Sequence, residues 1–259
     1  MKTKSILALM LGLLLVLGAC NEKQEPIKDN PQNGKEDIPS FEGDKGTVGG
    51  YNWVNLGLPS GTLWATEHVG ATPYYEDRVF SGYEGYNRYR WGDTVGYGSG
   101  AWEFYEYGSS NNELTKYCND SRYGKDGFTD DKTVLDAEDD AATVNGGKYW
   151  RMPTKEEFEE LMSECRYEWV FDGLEFTGPN GNTLIFSDGY GYTDENNRNR
   201  PYTRGVHFSY FWSSSLSSNS PDDAYVFVCY RSAEDGYEDF FINVLPRCCA
   251  CPIRPVVKR

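Results

Sequence analysis

Histidine is scarce in this chain, which has only His68 and His207 among 259 residues. Neither lies in a recognisable catalytic string, and the serine run at 213–215 lacks the Gly-x-Ser-x-Gly turn that exposes a nucleophilic serine. A serine or cysteine nucleophile usually needs a histidine or another base beside it. We therefore predict no catalytic residues and expect the protein not to be an enzyme.

Positive charge is also in short supply. Lysine and arginine number 25 against 40 aspartate and glutamate residues, which gives a net charge of −15. This charge repels the phosphates of nucleic acids and anionic lipid head groups, so we expect no nucleic-acid partner. The acid-rich stretch 126–140 lacks the alternating aspartate pattern of a calcium loop, and we interpret it as a solvated face. The sequence predicts no metal and no cofactor.

Long apolar runs are absent except at residues 6–17. This run is too short to span a bilayer, follows two lysines and leads into Leu17-Gly18-Ala19-Cys20, which matches a lipobox. The pattern predicts a lipoprotein signal peptide over residues 1–19 and lipidation of Cys20. Acyl chains on this cysteine would anchor the protein, so we expect membrane contact through the lipid alone.

Apolar side chains are nearly absent again from residue 21 to about 48, where prolines are scattered among charged residues. Such a stretch cannot bury enough surface to fold, so we interpret residues 20–48 as a flexible tether. Its start, NEKQE, resembles the export signal of Bacteroidetes-type surface lipoproteins. We therefore predict a lipid-anchored outer-membrane protein at the cell surface. Residues 49–259, rich in aromatic residues and glycine, are predicted to form one folded domain.

Short β-strands with glycine-rich turns, and two helices in the middle, are the predicted elements of this domain. Thr154 and Glu157 have the spacing of a capping box, and Asn180-Gly181 is typical of a hairpin turn. An α+β fold whose two ends meet in one sheet fits this order. We expect helices at 136–144 and 154–165, and strands at 51–56, 62–66, 174–177, 183–186, 209–213, 224–231, 240–245 and 252–257.

Four strings are similar to those of a known family. They are residues 55–66 (NLGLPSGTLWAT), 150–161 (WRMPTKEEFEEL), 211–215 (FWSSS) and 253–256 (IRPV). As an ordered set they resemble the Fibrobacter succinogenes major paralogous domain and the related Lcl C-terminal domain. The resemblance implies a C-type-lectin-like fold with two short helices, short antiparallel strands and long loops. It also implies a ligand-binding module for adhesion or recognition, although the Glu-Pro-Asn and Trp-Asn-Asp strings of calcium-dependent lectins are absent.

The cysteines leave two interpretations open. Six remain after Cys20, an even number that permits disulfides in an exported protein. The family resemblance implies a disulfide between Cys118 and Cys165. Residues 151–158 are also similar to a string of the formylglycine-generating enzymes, which bind copper through a cysteine pair. An oxidase of that kind, using the Cys248, Cys249 and Cys251 cluster, is therefore the enzymatic alternative.

The segment 225–251 lies between two of the family-like strings and has no clear hydrophobic period. It resembles the variable region of lipoproteins that are diversified by retroelements, in which fixed strings hold the fold and scattered surface positions bind the ligand. An ordinary paralogue, or a structural component of the cell envelope, remains an alternative. On the first hypothesis the partner is a protein or a glycan at the cell surface, and we predict as its contacts Tyr230, Tyr237, Asp239, Phe240, Phe241, Asn243 and Arg247.

Overall fold

Antiparallel strands dominate the architecture. The computed structural model describes residues 39–70, 88–96, 100–171, 173–187, 192–193, 196, 199–200, 206–232 and 234–257. Of these residues, 38% lie in strands and 12% in helices, and only two α-helices occur among them. The predicted α+β, C-type-lectin-like class is therefore wrong, because the fold is largely β and its two helices are too short to form a layer of their own.

The elements follow one another along the chain in a strand-rich order. The helices are α1 (Ala141–Gly146) and α2 (Lys155–Glu164), with short 3-10 turns at Trp102–Phe104 and Lys125–Gly127. The strands are β1 (Lys45–Val48), β2 (Tyr51–Asn55), β3 (Leu63–Ala65), β4 (Tyr89–Arg90), β5 (Trp150–Arg151), β6 (Arg166–Val170), β7 (Gly173–Thr177), β8 (Thr183–Ser187), β9 (Tyr192–Thr193), β10 (Asn199–Arg200), β11 (Val206–Leu216), β12 (Asp223–Ser232), β13 (Glu238–Pro246), β14 (Ala250–Cys251) and β15 (Val256–Val257).

Four sheets arise from these strands. One sheet has the order β1-β2-β3-β15-β5, and a second has the order β10-β9-β14-β4. Two three-stranded sheets, β11-β12-β13 and β6-β7-β8, complete the set. In the first sheet Val256 pairs with both Trp64 and Arg151, so the predicted meeting of the two ends of the domain in one sheet is confirmed.

The β11-β12-β13 sheet separates two apolar clusters. Trp212, Val226 and Val228 belong to the first core cluster, which also contains Trp91 and Trp150. The next residues along the same strands, including Phe211, Phe227 and Cys229, belong to the second core cluster. Because successive side chains in a strand point to opposite faces, this sheet is buried on both sides over much of its length.

The string 150–161 forms β5 and the start of α2. The Thr154 hydroxyl accepts from the N–H of Glu157 at 3.3 Å, and the Glu157 carboxylate accepts from the N–H of Thr154 at 2.9 Å, so the predicted capping box is confirmed. Phe158 and Leu161 bury one face of the helix in the second core cluster. The helix begins and ends within a residue of its predicted bounds.

The strings 211–215 and 253–256 are also internal. Trp212 Nε1 donates to the carbonyl of Tyr89 at 2.8 Å, and the N–H of Ser214 donates to the carbonyl of Pro153 at 2.8 Å. The buried Arg254 guanidinium donates to the carbonyl groups of Thr66 and Ile185, the latter at 3.0 Å. These strings connect separate elements through backbone acceptors.

The folded part begins earlier than the sequence predicts. The compact unit that contains all described residues starts at Pro39. Strand β1 lies within the predicted tether and pairs with β2. Phe41 contacts Trp53 at a ring-centroid distance of 6.2 Å. The predicted signal peptide 1–19, the predicted lipidation site Cys20 and the predicted tether up to residue 38 lie outside the described residues. Among the described residues, no helix has the length and apolar character needed to cross a membrane.

Candidate functional site

The two faces of β13 have different surroundings. Asp239, Phe241 and Asn243 lie opposite Tyr230, Val228 and Val226 on β12, respectively. Side chains that lie opposite each other on antiparallel strands share a face, so these residues lie on the same side as the first core cluster. Phe240 and Ile242 lie opposite Cys229 and Phe227 and point to the second core cluster.

The face shared with the first core cluster continues beyond the core as a row of aromatic side chains. We call Phe208, Tyr210, Tyr230, Tyr237 and Phe241 the aromatic face. Tyr237 is 54% exposed and the other four are half-buried. The ring centroids of Phe208 and Tyr230 are 4.6 Å apart, those of Tyr230 and Tyr237 are 5.5 Å apart, and Phe208 stacks on Tyr210 at 5.9 Å. The contacts of four rings therefore form one continuous strip from β11 across β12 to Tyr237, just before β13, and Phe241 lies on the same face opposite Val228.

Asp239 fixes the exposed end of the aromatic face. One carboxylate oxygen accepts from the Tyr237 hydroxyl at 2.8 Å, and the other accepts from the N–H of Phe240 at 2.8 Å. The hydrogen bond to Asp239 raises the pKa of Tyr237 above its ordinary value, because the bond favours the protonated hydroxyl. Asn243, which is exposed, similarly accepts from the N–H of Val244 at 2.9 Å. Asp239 and Asn243 thus hold the backbone of β13 and the Tyr237 hydroxyl in place at the edge of the aromatic face.

Two of the seven predicted contact residues lie elsewhere. Phe240 packs on the opposite side of the sheet, with its ring centroid 4.5 Å from that of Tyr167 and 5.6 Å from that of Phe176. Arg247 is fully buried, and its guanidinium donates to the Tyr105 hydroxyl at 2.8 Å and to the carbonyl of Tyr117 at 2.7 Å. The structure therefore brings together Tyr230, Tyr237, Asp239, Phe241 and Asn243, and it places Phe240 and Arg247 outside that surface.

Sequence reasoning missed Phe208 and Tyr210. Both precede the family-like string 211–215 and were outside the segment expected to bind. The alternation of Phe208, Tyr210 and Trp212 along one strand is a period-two pattern that could have placed all three on one face.

The acid-rich stretch 126–140 is only partly solvated. Asp140 is buried and caps α1 by accepting from the N–H groups of Ala142 and Thr143, at 2.8 and 3.1 Å. This cap also explains why α1 begins later than predicted. Burial raises the pKa of Asp140 to about 6, against the hydrogen bonds from these backbone groups.

One group of carboxylates in this stretch has the spacing of metal ligands. Oxygen atoms of Asp136, Glu138 and Asp139 lie within 4.8 Å of one another. The Lys116 ammonium lies among them, at 3.8, 3.2 and 2.5 Å, respectively. The lysine thus supplies a positive charge to this cluster, so the geometry gives no reason to place a cation there.

All six described cysteines are buried free thiols. The predicted disulfide between Cys118 and Cys165 is therefore not formed in this structure. The Cys118 thiol donates to the carbonyl of Asp120 at 3.1 Å, whereas Cys165 follows α2 in the second core cluster. Burial raises the pKa of Cys165 to about 11 and that of Cys251 further still. Cys248, Cys249 and Cys251 are inaccessible to a peptide substrate, so nothing in their placement favours the oxidase alternative.

His68 has a structural environment. Its ring stacks on Phe211 at 5.2 Å, and its Nε2 lies 3.1 Å from the Arg254 guanidinium. Burial and then the charge of Arg254 lower the pKa of His68 well below its ordinary value, so the ring is neutral. The side chain of His207 lies outside the described residues.

Comparisons of this chain with protein-family models, with curated proteins and with solved structures found no match.

Proposed function

We propose that this protein is a cell-surface lipoprotein whose folded domain binds a ligand through the aromatic face. The observation that carries the proposal is the continuous strip of four aromatic rings, Tyr210, Phe208, Tyr230 and Tyr237, of which Tyr237 is the most exposed. Tyrosine offers rigid, amphipathic contact area and loses little conformational entropy on binding. Aromatic side chains beside a polar rim are typical of the residues that dominate binding energy at interfaces.

The family-like strings and the aromatic face occupy different parts of the domain. Strings 150–161, 211–215 and 253–256 contact one another and the core, whereas the aromatic face contains none of them. The residues that resemble the paralogous-domain lipoproteins therefore hold the fold together, and the proposed ligand contacts lie at the outer ends of β11, β12 and β13. The proposed ligand is a protein or a glycan.

The binding proposal is tested with two tyrosines of nearly equal exposure. Tyr237 is 54% exposed on the aromatic face, and Tyr167 is 56% exposed on β6, on the other side of the sheet. The full chain is probed on arrays of extracellular glycans and of extracellular protein fragments. We expect Tyr237→Ala to weaken the binding signal about tenfold and Tyr167→Ala to leave it unchanged. Equal effects of the two substitutions would place the ligand elsewhere.

The anchoring proposal is tested separately, in cells. The lipobox predicts that Cys20 carries the acyl chains, so Cys20→Ser should abolish incorporation of an alkyne-labelled fatty acid. Cys165→Ser, at a buried position of the folded domain, serves as the control and should keep the label. Protease treatment of intact cells then reports on which side of the outer membrane the domain lies. Protection from protease until the cells are lysed would refute a cell-surface location.

A further inference from the structure

The surroundings of the aromatic face carry an excess of negative charge. The segment from Glu234 to Asp239 contains four carboxylates, of which Asp235 accepts from the N–H of Tyr237 at 3.1 Å. The nearest cation in the sequence, Arg231, contacts Glu238 at 3.2 Å and donates to the carbonyl of Val170 at 2.9 Å, on the opposite face. The exposed end of the aromatic face therefore has carboxylates next to it.

The geometry of the rings fits a cation. The planes of Tyr230 and Tyr237 meet at 52°, with centroids 5.5 Å apart, and the 54% exposure of Tyr237 leaves its ring accessible to a ligand. The face of an aromatic ring carries a negative electrostatic potential and attracts ammonium and guanidinium groups within about 6 Å of its centroid. The hydroxyl of Tyr237 donates to Asp239, which makes the ring more electron-rich.

Other classes of ligand use these features less well. An acidic glycan or a phosphorylated peptide would bring negative charge against Asp235 and Asp239. A neutral sugar could stack on the rings but would gain nothing from the carboxylates. A basic segment of a protein uses both the rings and the charge, since lysine and arginine combine a long apolar stem with a cationic end.

We infer that the aromatic face binds a basic protein segment, with a lysine or arginine side chain against Tyr230 and Tyr237 and its charge towards Asp235 and Asp239. The inference rests on the proposed function, because it names the ligand class of the same face. Long-range attraction between the acidic domain and a basic partner would also speed association at low ionic strength.

The probe for this inference is a short peptide that alternates lysine with serine. It is titrated into the full chain by calorimetry, and the same peptide with every lysine acetylated is the control. We expect the acetylated peptide and the Tyr237→Ala variant each to weaken binding about tenfold. Tyr237→Phe, which keeps the ring, should bind within about threefold of the wild type. Equal binding of the two peptides would overturn the inference.

A matched pair of charge variants separates local from general attraction. Asp239→Asn and Glu168→Gln each remove one negative charge, but only the first lies beside the aromatic face. We expect about threefold weaker binding in Asp239→Asn and no change in Glu168→Gln. Equal weakening would show attraction to the whole acidic protein and would overturn the inference.

A neutral oligosaccharide distinguishes failure of the inference from failure of the proposed function. If the oligosaccharide binds in a Tyr237-dependent manner and the lysine peptide does not, the ligand class is wrong and the aromatic face remains the binding site. If the array signal is also insensitive to Tyr237→Ala, both are overturned.

Discussion

Glu157 connects three parts of the chain through one carboxylate. It accepts from both terminal nitrogens of Arg151 at 2.5 Å, from the N–H of Thr154 at 2.9 Å and from the Thr62 hydroxyl at 2.9 Å. Burial would raise the pKa of Glu157, but the bonds from Arg151 outweigh it and hold the pKa below its usual range. The carboxylate is therefore charged and fully paired at neutral pH.

Replacing Glu157 by alanine should lower the free energy of unfolding by about 3 kcal/mol, because Arg151 would be left without its partner in a half-buried site. Urea denaturation followed by circular dichroism measures this change. Glu156→Ala, at the preceding and exposed position of α2, should change the free energy of unfolding by no more than about 0.5 kcal/mol. Similar losses in both variants would contradict a role for the pairing.

Asp223 predicts a pH dependence of stability. Burial, and then the charge of Asp222, raise the pKa of Asp223 to about 6 in the folded protein, above its value in the unfolded chain. Between about pH 4 and pH 6 the Asp223 carboxyl is largely deprotonated in the unfolded chain but still protonated in the folded protein. The free energy of unfolding therefore falls as the pH rises through this range. Asp223→Asn should therefore raise the free energy of unfolding at pH 8 by about 1 kcal/mol, after allowance for partial solvent exposure, and by nothing at pH 3. Urea titrations at both pH values test this.

At the scale of the element, β13 is an edge strand whose free edge is partly blocked. It pairs with β12 and has no second neighbour in its sheet among the described residues. Asp239 and Asn243 accept from the outward N–H groups of Phe240 and Val244. Exposed edge N–H groups invite pairing with another chain, and these side chains occupy two of them.

The double variant Asp239→Ala/Asn243→Ala should therefore associate through β13. Sedimentation velocity over a range of concentrations measures any shift to larger species relative to the wild type. Glu234→Ala removes the same single negative charge from the turn before β13 and leaves both N–H groups occupied, so it should not increase association. Association of this control to the same extent would assign the effect to charge.

Local patterns predicted some elements well and others poorly. The capping box marked the start of α2, and Asn180-Gly181 marked the turn between β7 and β8, because both signals depend on neighbouring residues. The irregular appearance of 225–251 was misleading. Val226 and Val228 face one core cluster while Phe227 and Cys229 face the other, so a regular strand shows no apolar-polar alternation. Strand β6 was missed because it follows α2 directly, without a turn signal.

The site was predictable in part for the same reason. Tyr230, Tyr237, Asp239, Phe241 and Asn243 were identified from their types, but their arrangement depends on which face of β13 is covered. Phe240 looks identical to Phe241 in the sequence and is half-buried like it, and only the pairing of β13 and the packing of Tyr167 and Phe176 show that Phe240 lies on the opposite face of the sheet. Arg247 is polar, yet several buried acceptors from distant parts of the chain surround it.

For the whole molecule, the free thiols make a clear prediction. The folded protein should react with none of its six described cysteines when it is treated with an alkylating reagent, because all are buried. Intact mass should show full alkylation of these thiols in guanidinium without any reductant. A peptide map that finds Cys118 linked to Cys165 would contradict the structure and restore the predicted disulfide.

The retroelement hypothesis makes a second prediction at this scale. If the segment is diversified, a near-copy of the codons for residues 225–255 should lie in the neighbouring DNA, with differences mainly at adenines. Substitutions among paralogues should concentrate at exposed positions such as Tyr237 and Asn243 and spare the buried 247–251. Sequencing of the locus checks both points, and the absence of a near-copy would remove the hypothesis.

The class of the fold was the least predictable property. Several strands contain two residues, such as β14 and β15, and their partners lie far away in the sequence. Strands this short have no local sequence pattern, whereas the two helices could be predicted from the sequence. The predicted fold class therefore overstated the helical part of the domain. The resemblance then supplied a class that the strand content contradicts.

Strand β15 has a consequence for the order in which the protein can fold. It lies between β3 and β5, and it is synthesised after every other described strand. Because the chain leaves the ribosome from its N-terminus, nearly all of its residues must be synthesised before the β1-β2-β3-β15-β5 sheet can form completely. Long-range pairing of this kind is slow, because loop closure comes before the contacts that reward it. Such a delay suits a chain that has to pass through a translocation channel unfolded, as the proposed lipoprotein would.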